Sequence, residues 1–135
     1  MNVLLFLTPK CETAYLEWDS SVRQALEKMD YHKFTVIPLL NKDGEFVSTL
    51  SEGDLLRYIK NNCNFDISVA ENTKICDIVK YRPYKTLSID CSDEDIFKLA
   101  MNQNFVPIVD DRNVYIGIVK RKDIIEYFYN EIKKV

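Results

Sequence analysis

The sequence predicts a mixed α/β fold built from two tandem β-α-β-β-α units. Three observations predict it. VIPLLNKDGEFVSTLSEGDLLRYI (36–59) can be laid over FVPIVDDRNVYIGIVKRKDIIEYF (105–128) without a gap, which sets Pro38 on Pro107 and Asp54 on Asp123, both 69 residues apart. Within each copy the apolar residues switch between strand-like runs and helical spacing. The 135 residues, 47% hydrophobic and 29% charged, have room for one compact body or two very small ones sharing a core.

Each copy follows the same order of elements. A short strand, ETAYL (12–16) or KTLSI (85–89), leads into a helix whose start is marked by Asp19-Ser20-Ser21 or by Asp90-Cys91-Ser92-Asp93. Side-chain oxygens there take up the amide protons that a first helical turn leaves without partners. Val22, Ala25, Leu26 and Met29 recur at helical spacing, as do Ile96, Leu99 and Ala100, so each helix has one apolar face. An apolar run through the proline follows, TVIPLL or FVPIVD, then a turn at Lys42-Asp43-Gly44 or Asp111-Arg112-Asn113 and a second strand, FVSTL or VYIGIV. Asn113 can stand where the first copy has Gly44 because both tolerate the left-handed backbone of a tight hairpin. A last helix begins near residue 52 or 121, carrying Leu55, Leu56 and Ile59, or Ile124, Ile125, Phe128 and Ile132. The polar stretch NNCNFDISVAENTK (61–74) reads as a connection, which places repeat 1 at 1–62, a linker at 63–73 and repeat 2 at 74–135. One unit is barely large enough to bury a core, so the two are expected to pack through their sheets.

Eighteen basic and 21 acidic residues leave a net charge of −3, and no overall positive field draws the chain to nucleic acid or to an anionic membrane. MNVLLFL is apolar but lacks a basic lead, and Thr8-Pro9-Lys10 interrupts it short of the roughly 20 residues a membrane span needs. The expectation is a cytoplasmic chain without export or anchoring signals. Cys11, Cys63, Cys76 and Cys91 form no C-x-x-C pair and His32 is the single histidine, so a metal site is short of ligands and the thiols read as reduced and structural. Three glycines cannot supply a glycine-rich phosphate loop, and no triad-like arrangement is visible, so an enzyme is not expected. Trp18 and Tyr127-Phe128-Tyr129 read as packing or dimer contacts, and His32 as a helix-end residue.

These residues resemble the CBS-domain pair, or Bateman module, in its stand-alone form. The resemblance runs from LTPK (7–10), similar to the M-T-P opening of such repeats, through Pro38 and Pro107 of the "lPVVD"-like strand and the hairpin, to the closing G-h-x-[ST]-x-x-D motif. STLSEGD keeps Ser51 and Asp54 but has Ser48 at the glycine position, whereas GIVKRKD keeps Gly117 and Asp123 but has Lys120 in place of Ser/Thr. The resemblance implies a regulatory module that binds an adenine nucleotide as a regulatory ligand, requires no cofactor, and signals to an effector protein. The nucleotide is expected in two pseudo-symmetric clefts, each drawing on both repeats: the base lies just before the proline of one repeat, and the closing aspartate of the other holds the ribose diol. Carried over, cleft A combines Thr13, Thr35, Val36 and Pro38 with Ile118, Lys120, Arg121, Lys122 and Asp123. Cleft B combines Thr86, Asn104, Phe105 and Pro107 with Thr49, Ser51 and Asp54. A homodimer through the terminal helices of each repeat is implied too, with Leu55, Leu56, Ile59, Ile124, Ile125 and Phe128 as its apolar candidates.

The chemistry fits these assignments. A ribose presents two adjacent hydroxyl donors, and an ionised carboxylate offers two acceptor oxygens at matching spacing. Ser51-x-x-Asp54 is equally close to a capping box, so capping and binding both stand open there. Lys120 cannot accept a capping bond, which leaves Asp123 without that alternative. Lys120, Arg121 and Lys122 at a helix start repel one another and oppose the helix dipole, a strain that a bound phosphate relieves, although most such runs are solvated turns. Cleft A therefore suits a phosphorylated ligand better than cleft B, where Glu52 adjoins Ser51. Two other readings stay open: a cyclic di-AMP receptor, to which the NFV strand and the Arg121-Lys122 pair are similar, and an interaction protein whose clefts are vestigial.

Overall fold

The computed structural model describes residues 1–62, 66–79 and 83–134. Its strands are β1 (Thr8–Pro9), β2 (Leu16–Glu17), β3 (Val36–Leu40), β4 (Phe46–Ser51), β5 (Leu87–Ser88), β6 (Phe105–Val109) and β7 (Tyr115–Lys120). Its helices are α1 (Val22–His32), α2 (Glu52–Asn61), α3 (Ile67–Asn72), α4 (Asp93–Ala100) and α5 (Arg121–Lys133). One sheet runs β1-β7-β6-β5 and the other β2-β3-β4. In both, a short strand pairs parallel with the proline strand, and the hairpin then closes antiparallel.

Local chemistry explains why the two copies fold alike. Ser21 caps α1 in a reciprocal box with Gln24, and Ser92 accepts the Asp95 amide at the start of α4. Each hairpin turns on an Asx-type residue. The Asn41 side-chain oxygen accepts from the amides of Asp43 and Glu45, and Asp110 accepts from those of Arg112 and Val114. Gly44 at φ 79° and Asn113 at φ 66° then supply the left-handed residue that the sequence required.

The compact units do not follow the repeat limits 1–62 and 74–135. One unit comprises Ala14–Pro83, and the other Met1–Thr13 with Tyr84–Val135. The lead-in of each repeat has crossed to the other unit. Val3 is buried among Ile96, Val106, Ile108, Val119 and Ile124. Ile75 is buried among Leu16, Val22, Ile37, Leu39 and Leu50. The stretch read as a plain connection also carries a helix, α3, whose Ala70 is buried in the first core and whose Glu71 pairs with Arg23 of α1. Residues 63–65 of that stretch, Cys63 among them, lie outside the described residues. Among the described residues no helix is long and apolar enough to cross a membrane.

The apolar candidates for a dimer face also divide. Leu55 and Ile124 are core residues, 5% and 0% exposed, whereas their neighbours Leu56 and Ile125 are 67% and 58% exposed. Consecutive helical residues point about 100° apart, so both members of each pair cannot share a face.

The two halves of the closing motif differ because of β1. Thr8–Pro9 pairs with β7, placing Pro9 opposite Gly117. A Cβ at Gly117 would stand 2.2 Å from the Thr8 carbonyl oxygen, and its φ of 154° is one that L-residues rarely adopt. Among the described residues β4 has only β3 beside it, so Ser48 occupies the equivalent place, buried, without meeting a third strand. Gly117→Ala is expected to cost about 1–3 kcal/mol of folding free energy, in the range of overpacking substitutions. Urea denaturation measures it, and an unchanged midpoint would show that β1 does not press on β7.

Candidate functional site

In the Ala14–Pro83 unit, the β3/β4 register sets Val36 opposite Ser51 and Pro38 opposite Thr49. The Glu52 amide donates to the Thr35 carbonyl at 2.8 Å, so α2 leaves the sheet beside the residues that precede Pro38. Both halves of the capping box are formed: Ser51 Oγ accepts from the Asp54 amide at 3.1 Å, and Asp54 Oδ2 accepts from the Ser51 amide at 2.9 Å. The other carboxylate oxygen accepts from Arg57 Nη2 at 2.7 Å. Asp54 is buried, 6% exposed, with both oxygens engaged. Gly53 leaves space for the guanidinium, since a Cβ there would lie 3.2 Å from Arg57 Nη1. Beside the pair opens a cleft of about 320 Å³ whose lining includes Asn61, Thr73 and Asp77.

Arg57 changes the electrostatics expected from Glu52, because it brings a cation to the helix start thought poor in positive charge. Its signal was present as Asp and Arg three apart on a helix, a spacing at which side chains meet.

In the other unit the register sets Phe105 opposite Lys120 and Pro107 opposite Ile118, and the Arg121 amide donates to the Asn104 carbonyl at 3.0 Å. The backbone frame is that of the first copy, but the cap is not. Lys120 stands at the N-cap without a capping bond. Asp123, at the position of Asp54, is half-buried, and no partner is recorded for it among the described residues. The basic run is not three equivalent cations. Arg121 Nε donates to the Ala100 carbonyl at 2.8 Å, at the end of α4, where a cation complements the helix dipole. Lys120 and Lys122 are exposed, and neither pairs with an acid among the described residues.

Other expected residues have local roles. Thr13 Oγ1 accepts from the Tyr115 hydroxyl at 2.9 Å and donates to the Lys10 carbonyl at 2.8 Å. Thr86 is half-buried, and Thr35 and Asn104 are exposed. The structure brings together, within each unit, the pre-proline residues and the helix start of one repeat. Each expected cleft is thus divided between units: Thr35, Val36 and Pro38 of cleft A, and Thr49, Ser51 and Asp54 of cleft B, belong to Ala14–Pro83.

Sequence reasoning missed Tyr84 and Gln103. The Gln103 side chain, 5% exposed, accepts from the Lys85 amide at 2.8 Å and donates to the carbonyls of Lys85 and Phe105, both at 3.1 Å. The Tyr84 hydroxyl accepts from the Asn104 amide at 3.2 Å, and its ring centroid is 4.9 Å from that of Phe105. His32 ends α1 and stacks on Phe34, while Trp18 and Phe128 pack against the two cores. Burial raises the pKa of the Cys91 thiol, helped by nearby Asp95 and Asp93, whereas Cys11 is exposed.

The CBS domain family model matches residues 19–61 and 67–130. The chain belongs to the CBS domain family. It is 27% identical over 124 residues to the A-adding tRNA nucleotidyltransferase of Aquifex aeolicus; the match covers 89% of this chain but 14% of that protein's length. Among solved structures, Listeria monocytogenes CbpB, in complex with c-di-AMP, matches at a TM-score of 0.84 and 18% identity, covering 100% of both chains. CBSX2, in complex with AMP, matches at 0.76 and 25% identity, covering 98% of both. The two-repeat α/β reading of the sequence is met.

Asp54→Ala is expected to cost about 1–2 kcal/mol of stability through loss of its bonds to the Ser51 amide and Arg57, and Asp123→Ala about 0.5 kcal/mol or less. Equal urea midpoints for the two variants would contradict this difference between the helix starts. At pH 8, iodoacetamide is expected to modify Cys11 ahead of Cys91, because only the thiolate reacts and burial keeps Cys91 protonated to higher pH; peptide mass spectrometry over a time course gives the order.

Proposed function

We propose that this chain is a cytoplasmic regulatory CBS pair that senses an adenine nucleotide and passes its state to an effector protein, without catalysing a reaction. The observation that carries the reading is the pair of helix starts, each with a carboxylate at its third helical residue beside the residues preceding a proline. Support comes from the fold shared with proteins solved in complex with AMP and with c-di-AMP. In cleft A the base rests against Thr13, Thr35 and Val36, and Asp123 accepts the ribose hydroxyls. In cleft B the base rests against Asn104 and Phe105, and Asp54 takes the sugar, with Ser51 beside it.

The two helix starts favour cleft A for a phosphorylated ligand. A ribose at Asp54 displaces bonds to the Ser51 amide and to Arg57, whereas Asp123 has no bonded partner among the described residues. Lys120 and Lys122 offer charge for the phosphate. Cyclic di-AMP remains the second reading, favoured by those two cations, which suit a ligand with two phosphates. A homodimer through terminal helices fits the exposed Leu56 and Ile125.

Calorimetric titration with AMP, ATP and cyclic di-AMP tests the proposal and ranks the ligands. Asp123→Ala is expected to weaken the preferred nucleotide by roughly 1.5–3 kcal/mol, the worth of a charge-assisted hydrogen bond, while Asp54→Ala leaves that affinity nearly unchanged. Equal losses in both variants would remove the asymmetry. No heat with any of the three ligands, joined by no thermal stabilisation, would remove the nucleotide reading.

A further inference from the structure

Asp54 and Asp123 stand at the same position in the two copies, but the residue three places on differs, Arg57 in one and Glu126 in the other. The lead-in turns carry a matching difference. Val3–Leu5 and Ile75–Asp77 correspond, so Asp77 stands where the other unit has Leu5. The residue after each turn meets the same helical position: the Phe6 and Tyr127 ring centroids are 5.4 Å apart, and Ile78 lines one cleft with Tyr58. Arg57 and Asp77 line that cleft too, together with Asp54, and all three lie within the Ala14–Pro83 unit. They are the charged residues of its lining, two acids for one base.

We infer that Arg57 is a two-position cation: it holds Asp54 while that carboxylate carries no ligand and passes to Asp77 when a ribose takes it, fastening the lead-in turn to α2. The inference rests on the nucleotide reading above and gives it a means of regulation. Arg57 Nη2 donates to Asp54 Oδ1 at 2.7 Å, a single bond from a guanidinium that carries several N–H donors on a long stem. The Arg57 side chain is 44% exposed and that of Asp54 is buried, so the arginine is the member of the pair with room to move. Asp77 is exposed and forms no ion pair among the described residues; its carboxylate accepts a 3.9 Å contact from the Cys76 thiol. An arginine displaced from a buried carboxylate keeps its charge, and a second carboxylate in the same cleft gives it a partner. The turn that carries Asp77 is held by local bonds, the Asp77 amide on the Lys74 carbonyl and the Ile78 and Val79 amides on that of Ile75. An ion pair at its last residue therefore changes how often it opens.

The test reads hydrogen exchange at the Ile78 and Val79 amides by NMR in the full chain. Asp54→Asn keeps an acceptor for the Ser51 amide but gives up the charge, so it sends Arg57 to Asp77 without any ligand. Exchange at both amides should slow about two- to fivefold, the worth of an exposed ion pair, and adding Asp77→Asn or Arg57→Met should cancel the slowing. Saturating AMP should slow the same amides by a similar factor in Asp123→Ala, which leaves Asp54 as the one motif carboxylate, and this effect should vanish on adding Asp77→Asn. Calorimetry follows AMP binding to the wild type and to each variant. Unchanged exchange in Asp54→Asn, folded by circular dichroism, overturns the inference. So does an Asp123→Ala chain in which AMP binds without changing these amides, or fails to bind although it binds the wild type; in both cases the nucleotide reading stands. A wild-type chain that binds no AMP overturns the handover by ligand.

Discussion

Two short lead-in segments, each buried in the unit built by the other repeat, fix the geometry on which the rest of this chain depends. The helical turns Val3–Leu5 and Ile75–Asp77 occupy equivalent places, and Val3 and Ile75 are 1% and 0% exposed. Backbone bonds hold Ile75 to Ser20 and Val22 to Thr73, and strand pairing holds Thr8–Pro9 to β7. Burying such an aliphatic side chain contributes about 1.5–3 kcal/mol, a large share of the 5–15 kcal/mol by which a small domain is typically stable. Neither repeat, as its sequence delimits it, completes a unit without its sibling's lead-in.

On that shared frame one motif has met two electrostatic fates. Strand and helix start meet in the same register in both copies, with an amide of the helix on the carbonyl before the strand. Asp54 is consumed by the frame itself, its oxygens divided between the Ser51 amide and Arg57. Lys120 has no hydroxyl to accept from the Asp123 amide, and Arg121 is diverted to the end of α4. A buried, doubly bonded carboxylate serves the helix, since a ligand must first displace its partners at a cost comparable to what it gains. Asp123 has no bonded partner among the described residues and stands beside the exposed Lys120 and Lys122. Departures from one motif therefore leave the Asp54 carboxylate bonded within its own helix start and give α5 an uncapped one.

Much of this was legible because it is local. The prolines and aspartates 69 residues apart fixed the hairpins and the last helices, Gly44 and Asn113 marked the left-handed turn residue, and Ser21 and Ser92 marked the first helices. What escaped is non-local or depends on a small shift. The exchange of Val3 and Ile75 brings together residues distant in the chain, and no periodicity reports which of two similar cores a short apolar segment enters. Helix α3 has six residues and few apolar ones, too short for its pattern to show. ETAYL and KTLSI were matched on their shared threonine, whereas the pairing of Leu16 with Leu39 and of Leu87 with Ile108 makes Tyr84 the counterpart of Thr13. Arg57 was overlooked because a capping box accounts for Asp54 without a third partner.

The chain passes between units at two places, from Thr13 to Ala14 and from Pro83 to Tyr84. Thr13 and its positional counterpart Tyr84 are the residues at those passages. Thr13 is tied to Tyr115, and Tyr84 to Asn104 and Phe105, so each is anchored on one side of the passage and continuous with the other unit on the next peptide bond.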